Sequence, residues 1–212
     1  MVKQIFLTTS MILVTAVYFD AQAESNTVQE TQYGANSSSV STSIDFDTEK
    51  QRSIEAVKAF ATSLQTELKK GLKEGGATNA ITICNTRAGL IAMNVSEKQN
   101  LTIKRVSLKN RNPDNVPNEW QKQILENFEN RKLRVEPVAE LTYADVAETV
   151  TGKQFRFMKA IPTKAICITC HGENISSEVK DRLDQLYPND KARGFRPGDI
   201  RGAFVVTRDL PR

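Results

Sequence analysis

Hydrophobic side chains first settle into a clear rhythm between residues 54 and 72. Ile54, Val57, Ala61, Leu64, Leu68 and Leu72 return every three or four positions, which predicts a helix packing one face on a core. Thr48 and Gln51 stand at capping-box spacing ahead of this run, and Gly75-Gly76 ends it. Residues 80–93 are again apolar and hold Cys84. Residues 102–108 alternate like a strand, with Val106 and Leu108 on one face. Asn and Pro then crowd residues 110–118, marking a loop, and Pro117 suits the first turn of a second helix carrying Trp120, Ile124, Leu125 and Phe128. Residues 141–150 and 154–161 predict two strands around Thr151-Gly152-Lys153, a hairpin. A short helix over 178–186 and a closing strand over 202–207 complete an α+β pattern: an antiparallel sheet flanked by helices, one domain over 45–212.

Ahead of that domain the pattern changes twice. Lys3 precedes a mostly apolar run from Ile5 to Phe19, and Ala21-Gln22-Ala23 supplies the small residues that a signal peptidase reads. Fifteen helical residues reach only about 22 Å, short of a bilayer's ~30 Å hydrocarbon core. Residues 1–23 therefore read as a signal peptide that sends the chain to the periplasm, and no later stretch is apolar enough for a membrane span. Residues 24–44 are polar and serine-rich, offer little to bury, and predict a flexible leader.

Composition narrows the chemistry more than the fold. Lys and Arg total 29 against 25 Asp and Glu, a net charge of +4. That mild excess contains no basic block and makes no case for nucleic acid. The chain holds one histidine, His171, which excludes a multi-histidine zinc site or a bis-histidine haem.

That histidine closes the sequence Cys167-Ile168-Thr169-Cys170-His171, the Cys-x-x-Cys-His attachment signature of haem c. Each thiol adds across a porphyrin vinyl group, and the adjacent imidazole becomes the proximal iron ligand. Three cysteines and one histidine scattered at random would fall this way on the order of once in ten thousand chains, so the signal is strong. A thioredoxin-like dithiol or a Cys₃His zinc site built with Cys84 are the competing readings.

With His171 proximal, the sixth ligand must come from a different residue type. Cys84, Met93 and Met158 are the soft candidates. Cys84 is the odd thiol, since thioether bonds would take both possible disulfide partners. The alternatives for it are an iron-bound thiolate or a small buried core residue. Arg105, Lys109 and Arg111 form a basic cluster beside the Asn/Pro loop, either partners for haem propionates or ordinary solvated charges. Asp190 and Asp199 with Arg201 read as structural ion pairs or turn formers.

Several segments form a larger pattern. Ala80-Ile-Thr-Ile-Cys84, Arg105-Val-Ser-Leu-Lys109, Arg111-Asn-Pro-Asp-Asn-Val-Pro117, Glu119-Trp120, Cys167 to Gly172, Leu186 to Asp190, Ala192-Arg-Gly194 and Gly198 to Ala203 occur in an order that resembles the Tll-type haem domain family. The resemblance spans about residues 48–210. It implies an exported monohaem c-type protein with a PAS-like α+β fold, one covalent haem, thioethers at Cys167 and Cys170, and His171 opposite Cys84 thiolate at the iron. Val106 departs from it, standing where a threonine is expected.

Two functions suit such a centre. One is electron transfer with a redox partner protein. The other is a redox or gas (NO, CO) sensor whose state a partner reads, although the chain ends at Arg212 with no output domain. A peroxidase-like enzyme would need a distal base, which a second histidine would ordinarily supply, so no catalytic residue is assigned.

Overall fold

The computed structural model describes residues 45–211; the expected signal peptide and polar leader lie outside the described residues. Helix α1 spans Phe46–Gln99 but breaks at Gly75 (φ −163°, ψ 29°) and Gly76 (φ 68°, ψ −161°). Gly76 occupies a region that only glycine enters without strain. The glycine pair does end the first helical run, as its sequence predicts, and a second run starts at once over the apolar residues 80–93.

The two arms fold back on each other. A Cβ placed on Gly71 would lie 3.0 Å from the Ala80 Cα and 2.8 Å from Ile83 Cδ1, whereas nine residues of straight helix would span about 13 Å. Arg87 faces Glu67 at 3.8 Å, and Val57 and Phe60 share a core with Val95. These pairs match residue for residue only in an antiparallel helical hairpin. Its first arm is capped by Asp45, whose carboxylate accepts from the amides of Asp47 and Thr48 at 3.2 and 3.3 Å. The cap therefore sits three residues ahead of the expected Thr48, because an aspartate there reaches two free amides at once.

Four strands follow: β1 (Thr102–Val106), β2 (Thr142–Thr149), β3 (Gly152–Pro162) and β4 (Ile200–Asp209). They form one antiparallel sheet in the order β1-β4-β3-β2, so the last strand is inserted between β1 and the β2–β3 hairpin. One face presents Ile103, Phe155, Phe157, Phe204 and Val206 to the helical hairpin. The other presents Val106, Met158, Ala160, Ala203 and Val205 to Leu125 and Phe128 of helix α2 (Glu119–Leu133). Pro117, expected in the first turn, lies just outside α2, because the capping box of Asn118 and Gln121 starts the helix at Glu119. Helices α3 (Ile168–His171) and α4 (Ser177–Leu186) sit between β3 and β4 in the chain. A third apolar cluster of Ile81, Ile175, Val179, Leu183 and Tyr187 joins α4 to the second arm. Among the described residues no helix is long and apolar enough to cross a membrane.

The hairpin makes one chemical change act with opposite signs at two sites. Gly89→Ala, on the second arm with open space around it, should stabilise the protein by about 1 kcal/mol through helix propensity. Gly71→Ala should destabilise it by about 1–2 kcal/mol, because its methyl meets the backbone of the other arm. Urea unfolding of both variants measures the two signs; stabilisation by both would contradict a close-packed hairpin.

Candidate functional site

Strand β3 leads into a tight turn at Ala165–Cys167 that continues as α3. In this helical geometry residues three and four apart share a face, so Cys167, Cys170 and His171 project to one side. All three cysteines are free of disulfides and half-buried. Gly172 ends the turn, its amide donating to the Ile168 carbonyl at 2.8 Å.

The sequence after α4 is folded back onto this turn by backbone bonds. The Gly194 amide donates to the Gly172 carbonyl at 3.0 Å and the Phe195 amide to the His171 carbonyl at 2.9 Å. One side chain locks the arrangement. Arg111 Nη2 donates to the carbonyls of Cys170 at 2.6 Å and Ala192 at 3.2 Å, while its Nε donates to Asp190 at 3.1 Å. The Asp190 side chain is 1% exposed and also accepts from Arg193 and from the Ala192 amide. Burial pushes the Asp190 carboxyl up, but Arg111, Arg193 and the Ala192 amide outweigh it and hold it below its ordinary value.

This clamp sets the state of His171. Its Nδ1 lies 2.8 Å from the Ala192 carbonyl. A carbonyl only accepts, so Nδ1 carries the proton and Nε2 keeps its lone pair. Burial first, then the charges of Arg201, Arg111 and Arg105, hold the imidazole pKa well below its ordinary value, against the weaker pull of that carbonyl. His171 is therefore a neutral imidazole with an oriented Nδ1–H, the form that coordinates a metal through Nε2.

Cys84 approaches from the hairpin. Ala77, Ile81, Cys84 and Ala88 follow one stripe of the second arm at steps of four, three and four, and Ile81 packs in the cluster that also takes in Cys170. Burial raises the Cys84 thiol pKa, while Arg105 and Arg111 lower it. Burial likewise raises that of Cys170; Arg111 opposes this, and Cys84 and Cys167 add to it. The three thiols thus share one electrostatic environment. Arg105 is itself pushed down by burial, against the pull of Cys84 and Tyr187, and its guanidinium lies 5.7 Å from the Phe60 ring centre.

The other soft side chains lie elsewhere. Met93 is nine residues beyond Cys84, two and a half helical turns away on the opposite face, and is 59% exposed. Met158 is fully buried on the α2 side of the sheet. Among the described residues no group of three or more His, Cys, Asp or Glu side chains could hold a bare metal ion, so the zinc reading has no cluster to use.

The basic residues divide differently from their sequence grouping. Arg111, expected to be open to haem carboxylates, is committed to Asp190 and two carbonyls. Asp190 and Asp199 do form structural ion pairs, with Arg111 and Arg193 and with Lys132, respectively; neither pairs with Arg201. Arg201 instead joins the site. Its Nε lies 3.2 Å and 3.5 Å from the two ring nitrogens of His171. Since Nδ1 already donates elsewhere, near-equal distances mean that the guanidinium packs over the ring. Burial, then Arg111 and Arg105, push its pKa down to about 9. Tyr187 and Phe195 were also missed; their aromatic character alone gave no cue, since both could have been ordinary core.

Fold and site together define a class: a mixed α/β domain whose four-stranded antiparallel sheet and helices support a Cys-x-x-Cys-His turn beside a third cysteine. The Tll0287-like family model matches residues 22–208, and the chain belongs to that family. A similar solved structure is the crystal structure of the cyanobacterial haem protein Tll0287, with a TM-score of 0.57 and 24% identity, covering 76% of this chain and 94% of that one. At that identity the likeness concerns the fold. No curated protein matches the chain.

The clamp predicts a pH dependence. Asp190 has a depressed pKa in the folded protein, so its contribution is present above its unfolded pKa and lost as pH falls through the lower folded value. Asp190→Asn should cost on the order of 3 kcal/mol at neutral pH, because a buried guanidinium loses its partner. It should also flatten the loss of stability below about pH 5. Chemical denaturation across pH measures both; a variant with the wild-type acid slope would contradict the clamp.

Proposed function

We propose that this chain is an exported monohaem c-type cytochrome with a PAS-like domain, acting in electron transfer. The neutral His171 imidazole, held by Ala192 with its Nε2 lone pair free beside two thiols spaced for thioether bonds, is the observation that carries the reading. A family relation to a cyanobacterial haem protein supports it.

The residues fit the group. Cys167 and Cys170 would hold the porphyrin covalently, and His171 nitrogen and Cys84 sulfur would bind its iron. Two partly buried guanidiniums, Arg105 and Arg201, make no ion pair among the described residues, so the site has cationic charge to spare for a thiolate and for propionates. When bound, the iron supplies one-electron ferric/ferrous chemistry. The protein's part is electrostatic. Burial holds the Cys84 thiol up and Arg105 pulls it back towards the thiolate, while the Ala192 carbonyl fixes His171 and raises its basicity as a donor. The attachment turn lies at the surface, with Ile166 42% exposed. An exposed apolar side chain there would suit brief docking of a redox partner. The sensor reading separates from this one by adding CO or NO to reduced protein: prompt displacement of a ligand favours sensing.

Protein produced with cytochrome c maturation machinery should keep its pigment through acid-acetone extraction and gain one haem in mass. Cys84→Ser should retain covalent pigment and raise the midpoint potential by on the order of 100 mV, since thiolate favours ferric iron. Met93→Ala should do neither. Extractable pigment would refute haem c; an unchanged potential in Cys84→Ser would leave Cys84 a core thiol.

A further inference from the structure

We propose that Arg201, together with Lys109, forms a carboxylate-binding site for the haem propionates, an inference that rests on the haem c reading. It starts from an imbalance of charge. The charges of Arg105 and Arg111 both act on Arg201, and all three act on His171. Asp190 is the carboxylate engaged among them, and Arg111 and Arg193 already occupy it. Elsewhere in the fold some part-buried arginines have carboxylate partners, as Arg208 does with Glu49 and Arg131 with Glu136, while Arg156 and Arg182 are held by neutral side chains away from this site. Arg201 has no carboxylate partner among the described residues.

What holds Arg201 in place is neutral. Its Nη1 donates to Ser107 Oγ at 3.1 Å and to the Lys109 carbonyl at 3.2 Å. Ser107 is fixed in turn by donating to the Arg201 carbonyl at 2.8 Å. These bonds aim the guanidinium and leave its charge unneutralised. Lys109 sharpens the case. Its Nζ lies 5.3 Å from the Phe195 ring centre, and Arg201 Cζ lies 5.2 Å from the same ring. Two cations gathered on one aromatic ring repel each other, a cost that an anion between or beside them removes. The ring stands edge-on to His171 at 6.2 Å, so the pair flanks the imidazole that would bind iron. Haem is the dianion this reading brings there, and a guanidinium is a strong charge-assisted donor to carboxylate. Arg105, on the Cys84 side, is left to stabilise the thiolate.

Arg201 also touches His171, so a test must separate carboxylate binding from simple support of the ring. The full chain carrying Cys167→Ala and Cys170→Ala is titrated with haemin and with haemin dimethyl ester, which lacks the two charges. It should prefer haemin. Adding Arg201→Gln should weaken haemin binding about tenfold or more while leaving the ester unaffected, and Arg201→Lys should restore part of the preference. An equal loss for both porphyrins, or no loss, overturns the proposal. If the Cys167→Ala/Cys170→Ala chain takes up neither porphyrin, resonance Raman of the matured holoprotein decides: the propionate-bending bands should shift in Arg201→Gln and move back towards wild type in Arg201→Lys. Unchanged bands overturn the assignment. Failure of the haem reading itself is distinct, because wild-type protein would then carry no covalent pigment at all.

Discussion

The site depends on one guanidinium. Arg111 reaches from the loop after β1 to the carbonyls of Cys170 and Ala192 and to the buried Asp190, binding three separate parts of the chain at one point. Without it, the segment after α4 would be tied to the Cys-x-x-Cys-His turn only by a few backbone bonds, the His171–Ala192 bond and the exposed Arg196–Glu173 pair. The Ala192 carbonyl, and with it the His171 tautomer, would then be free to drift. A buried ion pair is costly to form, but here its geometry is completed by neutral acceptors and amides, so few polar groups are left unmatched. That completeness is what lets a positioning device sit in a low-dielectric site.

The same economy shapes the rest of the centre. Three arginines crowd a small volume, and each has a different arrangement: Arg111 is neutralised by Asp190, Arg105 faces a thiol, and Arg201 is held by neutral groups beside an imidazole. The fold accepts this because the sheet is already secured on both faces, by the helical hairpin on one and α2 on the other. The third apolar cluster then brings the hairpin, and therefore Cys84, towards the turn that carries His171.

Much of the fold could be read from periodicity. The β2–β3 hairpin, the last strand and the Gly75-Gly76 break all follow local signals, although the hairpin turns at Val150-Thr151, with Gly152 and Lys153 already in β3. The sequence showed the helix before the glycines but not the arm after them, because residues 80–93 are apolar with no clean period until their partner helix is known. The first cap falls at Asp45 rather than Thr48 because several nearby side chains could serve, and Pro117 stands just outside the first turn of α2, which Asn118 caps. The Cys-x-x-Cys-His spacing is legible in the sequence alone, and the fold puts its three side chains on one side of a short helical turn. The grouping of basic residues is not legible there. Arg105, Lys109 and Arg111 are neighbours in sequence, yet alternation along the strand and the following loop sends them to different duties, and Arg201 arrives from 90 residues further on through strand pairing.

In the proposed centre Cys84, on the hairpin arm, and His171, on the four-residue helix α3, would both be ligands of one haem iron. Iron K-edge X-ray absorption of the ferric wild-type protein tests this most directly. The account predicts one sulfur in the first coordination shell with the remaining ligands light atoms, at a bond length typical of thiolate. A shell of light atoms only, or a sulfur at the longer distance of a thioether, would contradict it.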